Sequence, residues 1–433
     1  MNDTLEKTCS GTPALDIAKI RADFPILSRT FYGKPLAYLD NGATTHKPQA
    51  VIDRISYFYA HEYGTVRRGV YALSEGATDA YQHSRETIAR FLNARESDEI
   101  LITSGATDSI NLAAWSYGMA HLEKGDIILA SAMEHHANIV PWQQLCERTG
   151  AQLRVIPMNA RGELMLDAYE ALLAEGQVKI VAVAHVSNTL GTINPVRRLV
   201  ELAHAAGAVV LVDGAQAAPH LRVDVQALDC DFYAFSGHKI YGPTGVGILY
   251  ARRSLQDAMI PYRTGGDMIE TVSFERVTFA EPPRRFEAGT PPIAQLVGLA
   301  AAIEYVQRQG LDAIAAYEHR LLRVATERLC AIEGLRILGE ARMKASLISF
   351  VVDGAHALDL GTLLDLEGIA IRTGHHCAQP VMKAFDAAAS ARASFAFYNT
   401  EEEIHRFADA LTQAIAVCRG DAPPPTSTGT PLS

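Results

Sequence analysis

The chain has 433 residues, of which 48% are hydrophobic, 20% charged and 7% aromatic. This length and apolar share allow one large or two medium folded units, and they exclude an intrinsically disordered chain, collagen and a small disulfide-held domain. The 39 lysines and arginines against 49 aspartates and glutamates give a net charge of −10. That charge disfavours nucleic acid as a partner, because nucleic-acid binders carry a clustered basic face.

The sequence predicts a cytoplasmic protein without a membrane partner. No apolar run is long enough to cross a bilayer, and the start MNDTLEKTCSGTPALD lacks the apolar core of a signal peptide. The cysteines are widely scattered and form no C-x-x-C pair: Cys9, Cys146, Cys230, Cys330, Cys377 and Cys418. This spacing predicts reduced thiols rather than disulfides or a zinc site.

Short apolar runs alternate with helical patterns through the middle of the chain. The predicted buried strands are Glu99–Thr103, Ile127–Ser131, Leu153–Met158, Ile180–Val186, Val209–Asp213, Asp231–Ser236 and Gly245–Tyr250. Segments such as Asn138–Thr149 and Val196–Ala206 have helical spacing. Strands that alternate with helices predict an α/β fold with a mostly parallel central sheet.

After about residue 300 the pattern changes to that of a smaller α+β unit. The predicted elements there are the helices Ala300–Gln309, Ala313–Ile332, Ala357–Glu367 and Thr400–Cys418 and the strand Ser346–Val352. We therefore expect a large domain over 36–300 and a small C-terminal domain over 301–419. Residues 1–35 are expected to join the small domain, and the proline-rich residues 420–433 to form a disordered tail.

Polar residues follow several of the predicted strands, at the end where α/β sheets bind ligands. The turn Ser104–Thr107 suits a phosphate, although it is also an ordinary helix start. His135 and His136 follow the next strand, either as metal ligands or as one stacking or acid–base histidine beside a structural one. Asn188 adds an amide at the same edge.

Asp213 and Lys239 follow two further strands. An unpaired carboxylate at the end of an apolar strand is costly, and a protonated ring nitrogen would be a suitable partner for Asp213. A lysine after a strand is normally a surface residue, but a desolvated one can form a Schiff base with an aldehyde. Because both residues, His136 and the phosphate-type turn fall at strand ends, the sequence predicts a pyridoxal 5'-phosphate (PLP) site.

An NAD-linked oxidoreductase is the alternative from a different class. It is disfavoured because the glycine-rich segment Gly242–Gly247 precedes a strand instead of joining a strand to a helix. A metal site at His375–Cys377 is also disfavoured, because ligands on three successive residues are unusual. We therefore expect no bound metal.

Eight segments carry a resemblance to a known family: YLDNGATT, EHHANIVPW, VSNTLG, VDGAQA, FSGHKIYGP, FEAGTP, RTGHHCAQP and ARASFAFYNT. They resemble the signature blocks of the cysteine desulfurases, in the class V aminotransferase group of PLP enzymes, from about Phe24 to Cys418. Arg372–Cys377 resembles the SufS-like, group II branch, which also contains selenocysteine lyases. The resemblance implies the PLP-dependent transferase fold of type I, with residues 36–300 as its PLP-binding domain.

The implied activity is conversion of L-cysteine to L-alanine through a cysteine persulfide, for iron–sulfur cluster assembly. The alternative is a selenocysteine lyase or another PLP-dependent β-elimination. The implied partners are L-cysteine, a sulfur-acceptor protein of the SUF pathway and a second copy of the chain in a homodimer.

The resemblance also implies roles for individual residues. Cys377 would be the nucleophile, Lys239 the lysine bound to the cofactor aldehyde, and His136 the histidine that stacks on the ring and moves protons. The cofactor-binding set would be Lys239, Asp213, Gln216, Asn188, His136, Thr107, Ser236, His238 and Thr290, with Thr290 coming from the second subunit. The substrate-binding set would be Arg392, Arg372 and Asn188.

The chain departs from the family pattern in one segment, Thr65–Tyr71. Arg67 and Tyr71 stand where relatives usually carry histidines. We expect this difference to bear on substrate preference and rate more than on reaction type. The intact set of Lys239, Asp213, Cys377 and Arg392 argues against a non-catalytic scaffold.

Overall fold

The computed structural model describes residues 15–423 of the chain. Cys9, the rest of residues 1–14 and residues 424–433 of the predicted tail lie outside the described residues. The described cysteines Cys146, Cys230, Cys330, Cys377 and Cys418 are all free thiols. Between residues 15 and 423, no helix is both long and apolar enough to cross a membrane.

The strands are short and follow one another along the whole described chain. They are β1 (Thr30–Phe31), β2 (Lys34–Pro35), β3 (Ala37–Tyr38), β4 (Ile100–Thr103), β5 (Ile127–Ser131), β6 (Gln152–Ile156), β7 (Val178–Ala184), β8 (Val209–Asp213), β9 (Phe232–Ser236), β10 (Gly247–Ala251), β11 (Ile269–Val272), β12 (Val277–Phe279), β13 (Leu335–Leu338), β14 (Leu347–Val352), β15 (Ile369–Ala370), β16 (Arg372–Gly374) and β17 (Ser390–Ser394).

The helices lie between the strands and at the two ends. They are α1 (Ile17–Ala22), α2 (Gln49–Tyr57), α3 (Ala72–Leu92), α4 (Ala106–Ala113), α5 (Met119–His121), α6 (Val140–Thr149), α7 (Leu166–Leu173), α8 (Val196–Ala205), α9 (Val225–Leu228), α10 (Arg253–Gln256), α11 (Ile293–Gln309), α12 (Leu311–Cys330), α13 (Ala357–Asp365), α14 (Gln379–Ala384) and α15 (Glu401–Arg419).

A seven-stranded sheet forms the centre of the large part, in the order β4-β10-β9-β8-β7-β5-β6. Only β10 runs antiparallel to its neighbours, and the other strands are parallel. Every residue of β4, β5, β9 and β10 is buried, as expected for a sheet with both faces covered by helices. The predicted α/β class with a mostly parallel sheet is confirmed.

Amphipathic helices cover this sheet. In α8 the buried residues Val196, Leu199, Val200 and Ala203 follow the spacing of one helical face. The long helix α11 packs against both α2 and α3 and buries most of its apolar residues. These contacts fix the outer layer that supports the carboxyl ends of the parallel strands.

A smaller antiparallel sheet, β13-β14-β17-β16, belongs to a second apolar core. Ala37 and Leu39 join this second core, and β3 pairs with β15. Phe24, in contrast, packs against Tyr241 and Phe397 in the larger core. The domain boundaries at residues 36, 301 and 420 stay predictions.

The buried carboxylate of Glu287 connects α3 to the segment before α11. It accepts hydrogen bonds from Arg85 at 2.7 and 2.9 Å and from the Tyr81 hydroxyl at 3.1 Å, and it also pairs with Arg67. The Arg85 and Glu287 side chains are only 3% and 2% exposed. Two charges this deeply buried depend on each other, because neither can be solvated by water.

We expect Glu287→Ala to lower the free energy of unfolding by about 3–5 kcal/mol, because it leaves Arg85 buried without its partner. The matched control is Glu175→Ala, which breaks the exposed pair of Glu175 with Arg154 and should change stability by less than about 1 kcal/mol. Urea unfolding at one protein concentration measures both. Equal losses in the two variants would contradict this account.

Candidate functional site

The carboxyl ends of β4, β5, β7, β8 and β9 meet the smaller sheet around one cavity of about 300 Å³. Ten of the predicted site residues line it: Thr107, Asn188, Asp213, Gln216, Ser236, His238, Lys239, Arg372, Cys377 and Arg392. These residues come from six separate stretches of the chain, so the fold brings together what the sequence separates. Their roles stay predictions, but their common location is a property of the fold.

Asp213 and Lys239 face this cavity from the ends of β8 and β9. The buried Asp213 carboxylate accepts one hydrogen bond, from the Ala215 N–H at 3.0 Å, and forms no ion pair with a cation of the described residues. Burial raises the pKa of Asp213, an effect that Ala215 and Lys239 oppose. Burial also lowers the pKa of Lys239, and Asp213 partly opposes that shift.

The structure places His135, not His136, at the cavity that contains Lys239. Burial lowers the pKa of His135 to about 4, with Lys239 adding to the effect. The His135 Nδ1 accepts the Ala137 N–H at 3.0 Å, so the neutral ring carries its proton on Nε2. His136 instead lines a neighbouring cavity beside Trp115 and Gln144.

The difference has a simple cause in the backbone. After β5 the chain enters a short helical turn that begins at His136, and of the two histidines, which both line the neighbouring cavity, only His135 also reaches the cavity with Lys239. The sequence EHH offers two equivalent histidines, and only the turn distinguishes them. His135 is therefore a site residue that the sequence analysis missed.

The N-terminus of α4 provides an anion-binding end of the cavity. The Ala106 N–H donates to Ser236 Oγ at 2.8 Å, next to the exposed Thr107. A side chain on Gly247 would come within 2.5 Å of the Gly105 backbone, so only glycine lets β10 approach this turn. A helix N-terminus with a nearby hydroxyl suits a phosphate group.

Three residues of the segment 40–47, which follows β3, hold the peptide before Lys239. The His238 carbonyl accepts hydrogen bonds from Thr45 N–H at 3.1 Å, Thr44 Oγ1 at 3.1 Å and Lys47 Nζ at 3.0 Å. Burial lowers the pKa of Lys47 to about 8. The sequence analysis did not single out these residues, because their partner lies almost 200 positions away.

Arg372 and Arg392 are directly opposite each other on β16 and β17, which places two positive charges on one face of the small sheet. Asp40 lies between them, 2.7 Å from Arg372 and 3.3 Å from Arg392. Arg392 also donates to the Asn188 carbonyl at 2.7 Å, and its buried Nε has no hydrogen-bond partner in the described chain. This Nε is a donor available for a carboxylate.

The thiol of Cys377 is exposed at the mouth of the same cavity. The Asn188 side chain donates to the His376 carbonyl at 2.7 Å and so ties the loop that carries Cys377 to the end of β7. The Gln216 side chain donates to the Gly42 carbonyl at 2.5 Å. Both amides predicted to bind the cofactor therefore also hold the cavity walls.

Thr290, Arg67 and Tyr71 lie away from the cavity. Thr290 is exposed, and Tyr71 is at the start of α3, half exposed. Arg67 pairs with the buried Glu287 rather than with a group at the cavity. In a single chain, none of the three reaches the residues around Lys239.

The groups that line the cavity suit the parts of pyridoxal 5'-phosphate. Asp213 is a buried carboxylate that lacks a cationic partner, Lys239 is an amine with a lowered pKa, and the α4 N-terminus suits a phosphate. The fold and this site define a PLP-dependent enzyme of fold type I.

Comparison with known proteins agrees with that class. Residues 37–407 match the aminotransferase class-V family, and the chain belongs to this family. A cysteine desulfurase from Synechococcus elongatus is 51% identical over 402 residues, which cover 93% of this chain and 64% of that protein. One from Enterobacter sp. is 50% identical over 396 residues, which cover 91% of this chain and 97% of that protein.

Solved structures are similar over nearly the whole chain. The apo structure of a cysteine desulfurase from Thermococcus onnurineus NA1 gives a TM-score of 0.89 at 38% identity, covering 94% of this chain and 100% of that one. A C-DES mutant with glycine covalently linked to its PLP cofactor gives 0.78 at 25% identity, covering 93% and 99%. The chain spans less than two thirds of the Synechococcus protein but nearly all of the Enterobacter one.

Proposed function

We propose that this chain is a PLP-dependent cysteine desulfurase that converts L-cysteine to L-alanine and keeps the sulfur as a persulfide on Cys377. The observation that carries the proposal is the cavity itself, which brings Cys377, Lys239 and Arg392 together. Relatives about half identical to this chain are named cysteine desulfurases, which supports the same reaction.

The cofactor would be held by residues from both sides of the cavity. Lys239 would bond its aldehyde, Asp213 would pair with its ring nitrogen, and His135 in place of His136 would take the ring-facing role. The remaining cofactor contacts are Gln216, Asn188, Thr107, Ser236 and His238. When bound, PLP supplies an electron sink for negative charge at the substrate Cα.

Arg392 and Arg372 are proposed to bind the substrate carboxylate. The unpartnered Arg392 Nε offers a donor, and the shared Asp40 keeps both guanidinium groups in place. Two arginines held side by side can grip a carboxylate in a fixed orientation. This grip would direct the substrate sulfur toward the mouth of the cavity, where Cys377 lies.

The chain's own residues then move one proton and one sulfur. Lys239, whose pKa burial lowers, takes the proton from the substrate Cα. Cys377 Sγ, as thiolate, attacks the substrate sulfur, so an S–S bond forms while the substrate Cβ–S bond breaks. The electron pair of that bond stays with Cβ, which takes up the proton released by the Cys377 thiol, and Lys239 returns its proton to Cα, so that alanine leaves and Cys377 carries the persulfide. Cβ is reduced by two electrons, and the Cys377 sulfur and the substrate sulfur each lose one, so no external oxidant is needed.

An absorbance spectrum of the purified protein, followed by product analysis with L-cysteine, tests the proposal. We expect a PLP band that changes on addition of cysteine, alanine release, and a mass increase of one sulfur on Cys377. The same assay with L-selenocysteine as substrate distinguishes a desulfurase from the alternative, a selenocysteine lyase. A persulfide-free Cys377 with alanine release only from selenocysteine would contradict a desulfurase.

Asp213→Asn is expected to lower kcat by about 10²-fold without removing the cofactor. The neutral amide no longer stabilises a proton on the ring nitrogen, and losing one such electrostatic contact typically costs that much. Alanine release and the PLP absorbance of the same preparation measure the two effects. Near-normal turnover would show that the acidic partner of the ring lies elsewhere.

We also propose a homodimer in which Thr290 reaches the phosphate end of the partner's cavity. Light scattering should give twice the mass of the chain, and Thr290→Ala should weaken PLP binding without dissociating the dimer. Thr362→Ala, an exposed threonine on α13, is the matched control. A PLP affinity unchanged by Thr290→Ala would contradict this role.

The finer assignments are the group II type, a cytoplasmic location and iron–sulfur cluster assembly with a SUF-pathway acceptor protein. The group II type and the SUF-pathway acceptor rest on the resemblance of Arg372–Cys377 to that branch. Alanine release should then rise when such an acceptor is added to the enzyme and cysteine. An unchanged rate would leave the desulfurase reaction in place and remove the group II assignment.

A further inference from the structure

The loop that carries Cys377 has an unfavourable backbone conformation. His376 and Cys377 have φ values of +52° and +55°, in the left-handed region that side chains other than glycine rarely adopt. Two such residues in succession do not persist unless neighbouring groups hold them. The groups that hold this loop therefore determine where the Cys377 thiol lies.

His136 makes two hydrogen bonds to this loop, one to Cys377 and one to Gln379. Its backbone N–H donates to the Cys377 carbonyl at 2.7 Å, and its side-chain Nε2 accepts the Gln379 N–H at 3.1 Å. The second bond requires a ring with a lone pair on Nε2 and therefore a proton on Nδ1. One residue thus fixes the carbonyl of Cys377 and the amide two positions later.

His136 is itself held by the large sheet. The buried Glu134 accepts the Ala184 N–H at 2.8 Å and the Asn138 side chain at 2.6 Å, and Asn138 accepts the Trp142 indole N–H at 3.0 Å. This network fixes the turn on which His136 lies to the ends of β5 and β7. His136 therefore links the Cys377 loop to the large sheet.

We propose that His136 is a positioning residue for Cys377, acting on the loop backbone rather than on substrate or cofactor. Its side chain is outside the cavity that contains Lys239, so the ring neither stacks on the cofactor nor reaches the substrate Cα. The proposal deepens the proposed function and rests on it, because it assigns His136 to the sulfur-accepting step. Substrate binding at Arg392 does not depend on it.

The test compares His136→Ala with His136→Gln. Glutamine keeps an acceptor at the end of its side chain and alanine does not, so only alanine should release the Gln379 N–H. Hydrogen exchange of the amides of residues 376–379, measured on the PLP-bound protein without substrate, should be faster in His136→Ala and close to wild type in His136→Gln. His319→Ala, which removes an exposed histidine on α12, is the control.

Kinetics provide the second readout. Displacing a reacting group by about 1 Å lowers rates by up to about 10²-fold, so persulfide formation and kcat should fall in His136→Ala by about 10-fold or more, while KM changes little. His136→Gln should restore most of kcat. Equal impairment of the two variants, or wild-type exchange and kcat in His136→Ala, would overturn the proposal. Because the exchange measurement uses no substrate, it still decides the role of His136 if wild-type protein forms no persulfide.

Discussion

Replacing Lys239 with alanine is expected to abolish alanine release from L-cysteine, with kcat falling by at least about 10³-fold, the scale of a lost general base. The reason lies in the setting of the amine at the end of β9. Burial lowers its pKa, so a larger share is unprotonated and able to take the proton from the substrate Cα. Alanine formation, measured by chromatography over hours, gives the residual rate.

The fold should survive this substitution. Burying an amine is unfavourable, and its removal leaves Asp213 with the Ala215 N–H as partner, so the unfolding midpoint should stay within a few degrees of wild type. Lys179→Ala, an exposed lysine on β7, is the matched control and should retain full activity. Borohydride reduction of the wild type should attach the cofactor to Lys239, and a label on another lysine would refute the assignment.

The strands of the large sheet were predictable because their apolar runs are short, uninterrupted and followed by turn residues. β5 and β8 have the predicted bounds, and the other five strands of the central sheet lie within two residues of them. The long helix α3 was not predicted. Its sequence mixes small, polar and charged residues, and its buried face includes Ser74, Ser84 and Arg85, which carry no apolar pattern.

Site residues were predictable from the sequence where an unusual residue type follows a strand. They were not predictable where only the fold brings the residue to the site. Asp213 and Lys239 are recognisable in the sequence because a charged side chain at the end of an apolar strand is costly unless it has a partner. Asp40 and Lys47 do not stand out, since each acquires its role from a partner far along the chain. His135 and His136 are adjacent and chemically identical, so only the turn after β5 separates the residue at the cavity from the residue at the Cys377 loop.

The environment of Cys377 explains why this thiol, and not another, should accept sulfur. Cys146 and Cys230 are buried, and burial raises the pKa of both thiols, that of Cys230 far above its usual range. Cys330 is exposed but lies at the end of α12, away from the cavity. Only Cys377, among the described cysteines, combines exposure with a place beside Lys239 and Arg392.

Cys377→Ser is therefore expected to eliminate persulfide formation and to lower alanine release from cysteine by at least about 10³-fold, because the hydroxyl is a far weaker nucleophile than a thiolate at neutral pH. Substrate binding should persist, since Lys239, Asp213 and Arg392 are unchanged. The PLP absorbance band should still respond to cysteine, with an apparent Kd close to that of the wild type.

Cys330→Ser is the control for this variant, because it removes the other exposed thiol of the described chain and should leave turnover unchanged. Incubation with radiolabelled cysteine, followed by mass spectrometry of the thiol peptides, locates the transferred sulfur. Label on Cys377 in both the wild type and Cys330→Ser, and on no cysteine in Cys377→Ser, is the expected pattern. Transferred sulfur on Cys9, Cys146, Cys230, Cys330 or Cys418 in the Cys377→Ser variant would place the nucleophile elsewhere, because that variant has no Cys377 persulfide from which the sulfur could move.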